Sequence, residues 1–151
     1  MTHVKDFYIP DLPDDVIVMF PEEFYSDYYR NIETISSLQE RVPFCYSDDF
    51  DKMFLVKKDE NGKIIASLTI KVFPNDGYFR NEEIASMTAI GVDQNYRNLG
   101  HAKDLIDCYF KIIENNNIAP SHSHWEPDGK KYLEDYWYNV KNSTTFNKLI
   151  M

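Results

Sequence analysis

Residues 93–102 combine residue types that together bind anions. They read Asp-Gln-Asn-Tyr-Arg-Asn-Leu-Gly-His-Ala and lead from an apolar run into a helical pattern. A buried strand that turns through a glycine-containing loop into a helix presents free backbone N–H groups and the positive end of the helix dipole, an arrangement that binds phosphate. Gly100 lets the backbone approach a ligand closely, and Arg97 and Lys103 add positive charge to an acidic chain. We therefore predict a phosphate-binding loop here.

The spacing within this loop excludes two common nucleotide sites and fits a third pattern. The chain has neither the G-x-x-x-x-G-K-[ST] of a Walker A loop nor the G-x-G-x-x-G of a dinucleotide site. Arg97, Gly100 and Ala102 fit R/Q-x-x-G-x-G/A, beginning five residues after the strand-ending Val92. Here the sequence resembles the GNAT superfamily of N-acetyltransferases, whose acetyl-coenzyme A loop has this pattern between the fourth strand and the helix after it. The resemblance covers roughly residues 16–140.

The resemblance implies how acetyl-coenzyme A, as co-substrate, would be held. Backbone amides of the loop cradle the pyrophosphate, while main-chain groups at the end of the preceding strand pair with the pantetheine arm and hold the thioester carbonyl as an oxyanion site. The residues expected to bind the coenzyme are Ile90, Gly91, Val92, Arg97, Asn98, Leu99, Gly100, His101, Ala102 and Lys103.

Several residues are candidates for removing the proton of an attacking amine, whose ordinary pKa is near 10.4. Ser86 occupies the position where many family members carry a glutamate on the fourth strand. It is no base, but with Thr88 it could order a water. Glu82 and Glu83 precede this strand; Glu83 could reach the acceptor side, or both could be solvated edge charges.

His122 and His124 alternate on one predicted strand face on the other side of the expected cleft. A histidine titrates near neutrality, so either is a chemically sensible base or acceptor contact, and a plain packing role is the alternative. Two imidazoles on one face can also share a metal ion. Since no convincing further ligands are visible, we expect no metal.

Two groups of tyrosines complete the candidate site. Family members often protonate the leaving thiolate with a tyrosine of the last helix, which makes Tyr132 the first candidate and Tyr136 the second, although the usual Asn and Gly-Phe of that region are absent. Packing in the core is the alternative for both rings. In the first helix, Phe24 and Tyr28 lie on the predicted inward face. Tyr25 and Tyr29 lie beside it and could contact an acceptor or a second copy of the chain.

Composition limits the partners. The 151 residues carry a formal net charge of -9, so the average surface would repel a nucleic-acid backbone and attract a cationic amine, either a protein lysine or N-terminus or a small molecule. No apolar run approaches the roughly 20 residues of a membrane span. Because Cys45 and Cys108 lie far apart and no signal-peptide pattern is present, we expect reduced thiols and a cytoplasmic protein.

The spacing of apolar residues along the chain predicts the strands and helices that must position these side chains. We predict an extended N-terminal arm over residues 1–15 and a single acetyltransferase-like domain over residues 16–151. Strands are expected at 16–20, 53–57, 64–73, 84–92 and 118–125, with a hairpin turn at 59–62, and helices at 22–41, from 102, and at 128–140. A last short strand is expected from Asn142. The fold class is α+β, with a mixed, mostly antiparallel twisted sheet flanked by helices in an αβα layered arrangement.

Two functions are compatible with these features. The first is an N-acyltransferase that moves an acetyl group from acetyl-coenzyme A to a primary amine by direct attack in a ternary complex. The alternative is a catalytically inactive module of the same fold that acts through protein-protein contacts, which Ser86 at the usual glutamate position favours.

Overall fold

A computed structural model of the chain describes residues 4–30, 51–73, 77, 82–122 and 130–143, without the side chains of residues 25, 27–30 and 130. Five strands and three α-helices occur within these residues. In chain order they are β1 (Ile17–Met19), α1 (Pro21–Arg30), β2 (Lys52–Lys58), β3 (Ile64–Phe73), β4 (Ile84–Val92), α2 (His101–Asn115), β5 (Ala119–His122) and α3 (Lys130–Ser143).

The strands form one sheet in the order β1-β2-β3-β4-β5. Neighbours are antiparallel except β4 and β5, which are parallel. The predicted hairpin of β2 and β3 is confirmed. Its turn is closed by Asp59, whose Oδ1 accepts from the N–H groups of Asn61 and Lys63 at 2.8 and 2.9 Å. Gly62, with φ of 84°, provides the left-handed conformation that this turn needs.

Helices cover both faces of the sheet, which confirms the predicted layered α+β fold. On one face α2 buries apolar residues at three- or four-residue spacing, and Trp137 of α3 joins the same core; the residues of α2 are Leu105, Ile106, Tyr109 and Ile113. On the other face Phe24 of α1 stacks on Phe54 of β2 with ring centroids 3.9 Å apart. The sheet therefore lies between two layers of helix, and the loop between β4 and α2 begins at the C-terminal end of β4.

Strand β4 contains a bulge that reorients its second half. Met87 and Ala89 pair with consecutive residues of β3, so the register skips Thr88. As a result Met87 and Ile90, three residues apart, both contact the core under α2. Without the bulge, strict alternation would turn Ile90 to the opposite face.

The N-terminal segment, residues 4–15, runs along α2. The Asn116 side chain accepts from the N–H of Tyr8 and donates to its carbonyl, both at 2.9 Å, and Lys111 donates to the carbonyl of Asp11. These bonds hold the segment beside the C-terminal half of α2.

The predicted extended arm is wrong for Val4–Asp6, which forms a turn of 3-10 helix. Val4 and Phe7 are buried in the core under α2, because docking removes their apolar surface from water. The boundary of the domain at residue 15 stays a prediction.

The end of the last helix also differs from the periodicity-based prediction. Helix α3 continues to Ser143, whose hydroxyl donates to the carbonyl of Val140 at 2.9 Å, so the strand predicted from Asn142 is wrong for residues 142 and 143. The described part of the fifth strand is Ala119–His122, since residues 123–129 lie outside the described residues. The same holds for the first helix beyond Arg30.

Candidate functional site

The loop after β4 is built by local hydrogen bonds and two left-handed residues. Asp93 Oδ1 accepts from the N–H of Asn95 at 2.9 Å, and the Asp93 carbonyl accepts from Tyr96 at 2.8 Å, which forms the turn Gln94–Tyr96. Asn98 and Gly100 then adopt φ values of 64° and 87°. These two left-handed residues turn the chain so that α2 begins at the next residue, His101.

The start of α2 lacks the capping side chain that helices usually carry. Gly100 occupies the N-cap position with no side-chain hydrogen bond, where Ser, Thr, Asp or Asn would satisfy an amide of the first turn. In the described part of the chain, no acceptor is found for the amides of residues 98–103. A Cβ built on Gly100 meets nothing within 4 Å. The loop therefore combines N–H donors that lack an acceptor among the described residues with open space at Gly100 and the positive end of a helix.

The end of β4 presents main-chain groups on its far edge. The pairing of β4 with β5 joins Ile84–Met87 to Ala119–His122 and, among the residues described, goes no further. Asp93 donates to the carbonyl of Ile65 at 2.8 Å, and antiparallel pairs alternate between bonded and non-bonded. Val92 and Ile90 therefore direct their N–H and C=O groups away from β3, while Gly91 directs its groups toward β3.

Arg97 occupies one of these edge groups. Its Nε donates to the carbonyl of Val92 at 3.1 Å, so the guanidinium folds back onto the strand end. Among the described residues, the groups on this edge without a strand partner are the N–H of Val92 and both main-chain groups of Ile90. Of the ten residues predicted to bind the coenzyme, nine thus offer an amide of the loop, a side chain beside it or an edge of β4 that no described strand covers, and Gly91 does not.

A buried lysine that the sequence analysis missed reaches the same helix start. Lys57 of β2 has its side chain 3% exposed, and its Nζ contacts Asp104 Oδ2 at 2.6 Å, Asp15 Oδ2 at 3.1 Å and His101 Nδ1 at 3.1 Å. Burial lowers the pKa of Lys57, but the bonds to the two carboxylates outweigh it and raise the pKa above the ordinary value. The sequence did contain a sign that Lys57 is buried, because Met53, Leu55 and Lys57 share one face of the strand and the first two are core residues.

Helix α3 covers the side of α2 next to the loop with two tyrosines. Lys103 Nζ lies 4.3 Å from the ring centroid of Tyr132 and 5.1 Å from that of Tyr136. The hydroxyl of Tyr136 donates to Asp107 Oδ1 at 2.5 Å. Burial raises the pKa of Tyr136, and the bond to Asp107 raises it further. Tyr132 is 61% exposed.

The base candidates are placed far apart. Ser86 is 6% exposed in the middle of the β4–β5 pairing. Glu83 precedes β4, and Val92 is the ninth residue of that strand, about 30 Å along it at 3.3 Å per residue. His122 packs edge-on to Trp137 with ring centroids 5.0 Å apart, and its Nε2 lies 3.3 Å from the hydroxyl of Tyr138.

Three site predictions lie outside what the structure describes. His124 belongs to residues 123–129, and the side chains of Tyr25 and Tyr29 are among those not described. Within the described residues no group of three His, Cys, Asp or Glu side chains could hold a metal ion. No helix among them combines the length and the apolar character that crossing a bilayer requires.

Known structures share this architecture. An aminoglycoside acetyltransferase from an uncultured soil metagenomic sample is 17% identical, with TM-score 0.58 over 85% of this chain and 88% of that one. A ribosomal-protein-alanine N-acetyltransferase from Brucella melitensis is 16% identical, with TM-score 0.59 over 80% and 88%. Glucosamine-6-phosphate N-acetyltransferase from Arabidopsis thaliana is 18% identical, with TM-score 0.57 over 80% and 89%. At these identities the likeness concerns the fold.

Sequence comparison identifies the family. No curated protein sequence matches the chain. The model of the acetyltransferase (GNAT) family matches residues 15–136, which include every described element of the sheet and the loop before α2. The resemblance predicted from Arg97, Gly100 and Ala102 is thereby confirmed at the level of the family: the chain belongs to the GNAT acetyltransferases.

Proposed function

We propose that this protein transfers an acetyl group from acetyl-coenzyme A to a primary amine by direct attack in a ternary complex. The observation that carries the proposal is the uncapped start of α2. Among the described residues the amides of residues 98–103 have no acceptor, the position of a Cβ on Gly100 is open, and these donors lie at the positive end of the helix dipole.

The residues present fit coenzyme A. A diphosphate needs several donors and a close backbone approach, and the loop supplies N–H groups on both sides of Gly100, whose missing side chain leaves room for a ligand. The edge of β4 offers the N–H of Val92 and the N–H and C=O of Ile90, which suit an extended amide-bearing arm that adds to the sheet like a strand. Gly91 drops out of the predicted set as a main-chain contact, because its groups pair with β3.

When bound, acetyl-coenzyme A supplies the acetyl group and a thiolate leaving group. The protein's contribution is to hold the thioester carbonyl near the N–H donors of Ile90 and Val92 at the end of β4, where negative charge develops during attack. No cysteine needs to carry the acetyl group. Burial raises the pKa of the Cys108 thiol to about 11, so that it is protonated at neutral pH, and its position inside α2 keeps it away from the loop.

Tyr132 is our first candidate for protonating the thiolate. Its ring lies on Lys103 beside the loop, and in the described residues its hydroxyl makes no hydrogen bond. Tyr136 is the weaker candidate, because its proton is already donated to Asp107. For deprotonating the amine we propose a water ordered by Ser86, whose position within β4 is nearer the loop than that of Glu83. His122, packed against α3, and His124 remain predictions, as do the acceptor contacts Tyr25 and Tyr29.

A cationic amine is the acceptor class that the charge favours. The chain carries 25 acidic against 16 basic residues, and a negative field draws amines toward the site while the local cations at the loop attract the coenzyme. A protein lysine, a protein N-terminus and a small polyamine all satisfy this requirement.

One observation favours the second function, a coenzyme-binding module without catalysis. Ser86 is buried where many family members carry a glutamate, so a strong base is missing from that position. Such a module would act through protein-protein contacts and would keep the loop.

Two measurements test both functions. Thermal unfolding with acetyl-coenzyme A at 100 times its dissociation constant should show about 2.7 kcal/mol of added stability. Thiol release with a panel of amines, including lysine-containing peptides, should then show turnover. Binding without turnover for every amine supports the module, and no stabilisation refutes both functions.

A further inference from the structure

Lys57 has an unusually complete set of partners for a buried lysine. An ammonium group has three N–H donors and no acceptor. Lys57 Nζ meets three acceptors, the carboxylates of Asp104 and Asp15 and Nδ1 of His101. Each donor is used, so a cation that is costly to bury is fully hydrogen-bonded.

This arrangement determines where His101 carries its proton. Because Lys57 can only donate, Nδ1 of His101 must be the acceptor, and the neutral imidazole then carries its hydrogen on Nε2. His101 is the first residue of α2, next to the uncapped amides. Within the part of the chain that the structure describes, Nε2 has no partner.

Building on the proposed function, we propose that the His101 side chain binds the diphosphate of coenzyme A through Nε2–H, and that Lys57 is the positioning residue that holds this tautomer. The loop would then contribute one side-chain donor of fixed direction in addition to its amides. A phosphate oxygen is the matching acceptor, since a hydrogen bond to a charged group is about twice as strong as a neutral one. The lysine acts from β2, and of the residues predicted to bind the coenzyme its Nζ contacts only His101.

The two ring nitrogens can be tested separately by amide substitution. His101→Gln places an N–H donor near the position of Nε2, whereas His101→Asn reaches only the position of Nδ1. We expect coenzyme A, measured by isothermal titration calorimetry, to bind His101→Gln within about threefold of the wild type and His101→Asn about tenfold more weakly, as for one lost hydrogen bond to a charged group. Equal affinities in both variants and the wild type overturn the proposal.

The position of the proton on the His101 ring can be measured directly. A histidine with only a structural role would not require the proton to be on Nε2. Nitrogen-15 spectra of the wild-type imidazole should show His101 Nδ1 without a proton and Nε2 with one, and coenzyme A should shift the Nε2–H resonance. A proton on Nδ1 refutes the assignment without any variant, whether or not the protein turns over an amine.

The role of Lys57 is tested by a double-mutant cycle on the same binding constant. Lys57→Met should weaken coenzyme A binding threefold to tenfold, and adding His101→Asn should bring the total to about tenfold, because the lysine acts through the imidazole. Lys58→Met, one residue along β2, is the matched control and should bind normally. Factors that multiply in the double variant overturn the positioning role, and a wild type that binds no coenzyme A overturns the proposed function together with this inference.

Discussion

Gly100 and Gly62 offer a matched pair that separates backbone strain from ligand binding. Their φ values are 87° and 84°, and a Cβ built on either meets nothing within 4 Å. Gly100 lies in the loop before α2, whereas Gly62 lies in the hairpin turn between β2 and β3. Alanine at either position therefore introduces the same strain, but only the methyl group of Gly100→Ala would enter the proposed phosphate site.

The cost in stability follows from the backbone. A left-handed conformation costs an L-residue roughly 1–2 kcal/mol, partly offset by the roughly 0.4–1 kcal/mol that alanine gains by restricting the unfolded chain. Each variant should therefore lose about 1 kcal/mol of unfolding free energy. For a chain of this size that loss corresponds to about 2–4 °C in Tm. The two variants should agree with each other.

The response to coenzyme A should separate them. At 100 times the wild-type dissociation constant, the ligand adds about 2.7 kcal/mol to the wild type and to Gly62→Ala. In Gly100→Ala the new methyl group displaces the phosphate from its amides, and a hundredfold loss of affinity would leave only about 0.4 kcal/mol. Differential scanning fluorimetry with and without coenzyme A measures both quantities. A full ligand-induced shift in Gly100→Ala would falsify the assignment of the loop as the phosphate site.

Three further outcomes are expected. Tyr109→Phe should lower the free energy of unfolding in urea by about 2 kcal/mol, because the lost hydroxyl leaves the buried Ala85 carbonyl and an amide of β5 without their partner; an unchanged midpoint would contradict this. The stability that Lys57 adds, measured against Lys57→Met, should be fully present below the ordinary lysine pKa of 10.5 and should shrink as the pH rises beyond it, since its pKa is raised in the folded state. A difference that grows with pH would refute that sign. Tyr132→Phe should lower kcat about a hundredfold and Tyr136→Phe much less, measured by thiol release, and the reverse order would exchange their proposed roles.

Local signals in the sequence predicted most of the elements. The β-rich runs of β2 and β3, the turn that ends at Gly62 and the helix after the loop each depend on neighbours within a few residues, and all three are found in the structure. The loop was predicted from Arg97, Gly100 and Ala102, because the spacing of a strand, a glycine and a helix start is itself local. Sequence therefore determined the family and the layered fold, and it predicted which loop would bind the anion.

Only the tertiary structure decided what surrounds that loop. The contact of Lys57 with His101 joins residues 44 positions apart, and no periodicity encodes such a pairing. The bulge at Thr88 and the return of Arg97 to the Val92 carbonyl likewise depend on how β4 meets β3 and on which strand edge stays open. These are properties of packed and hydrogen-bonded neighbours, whose free energies depend on distance in space, so residue types along the chain could suggest the chemistry but not the partners that direct it.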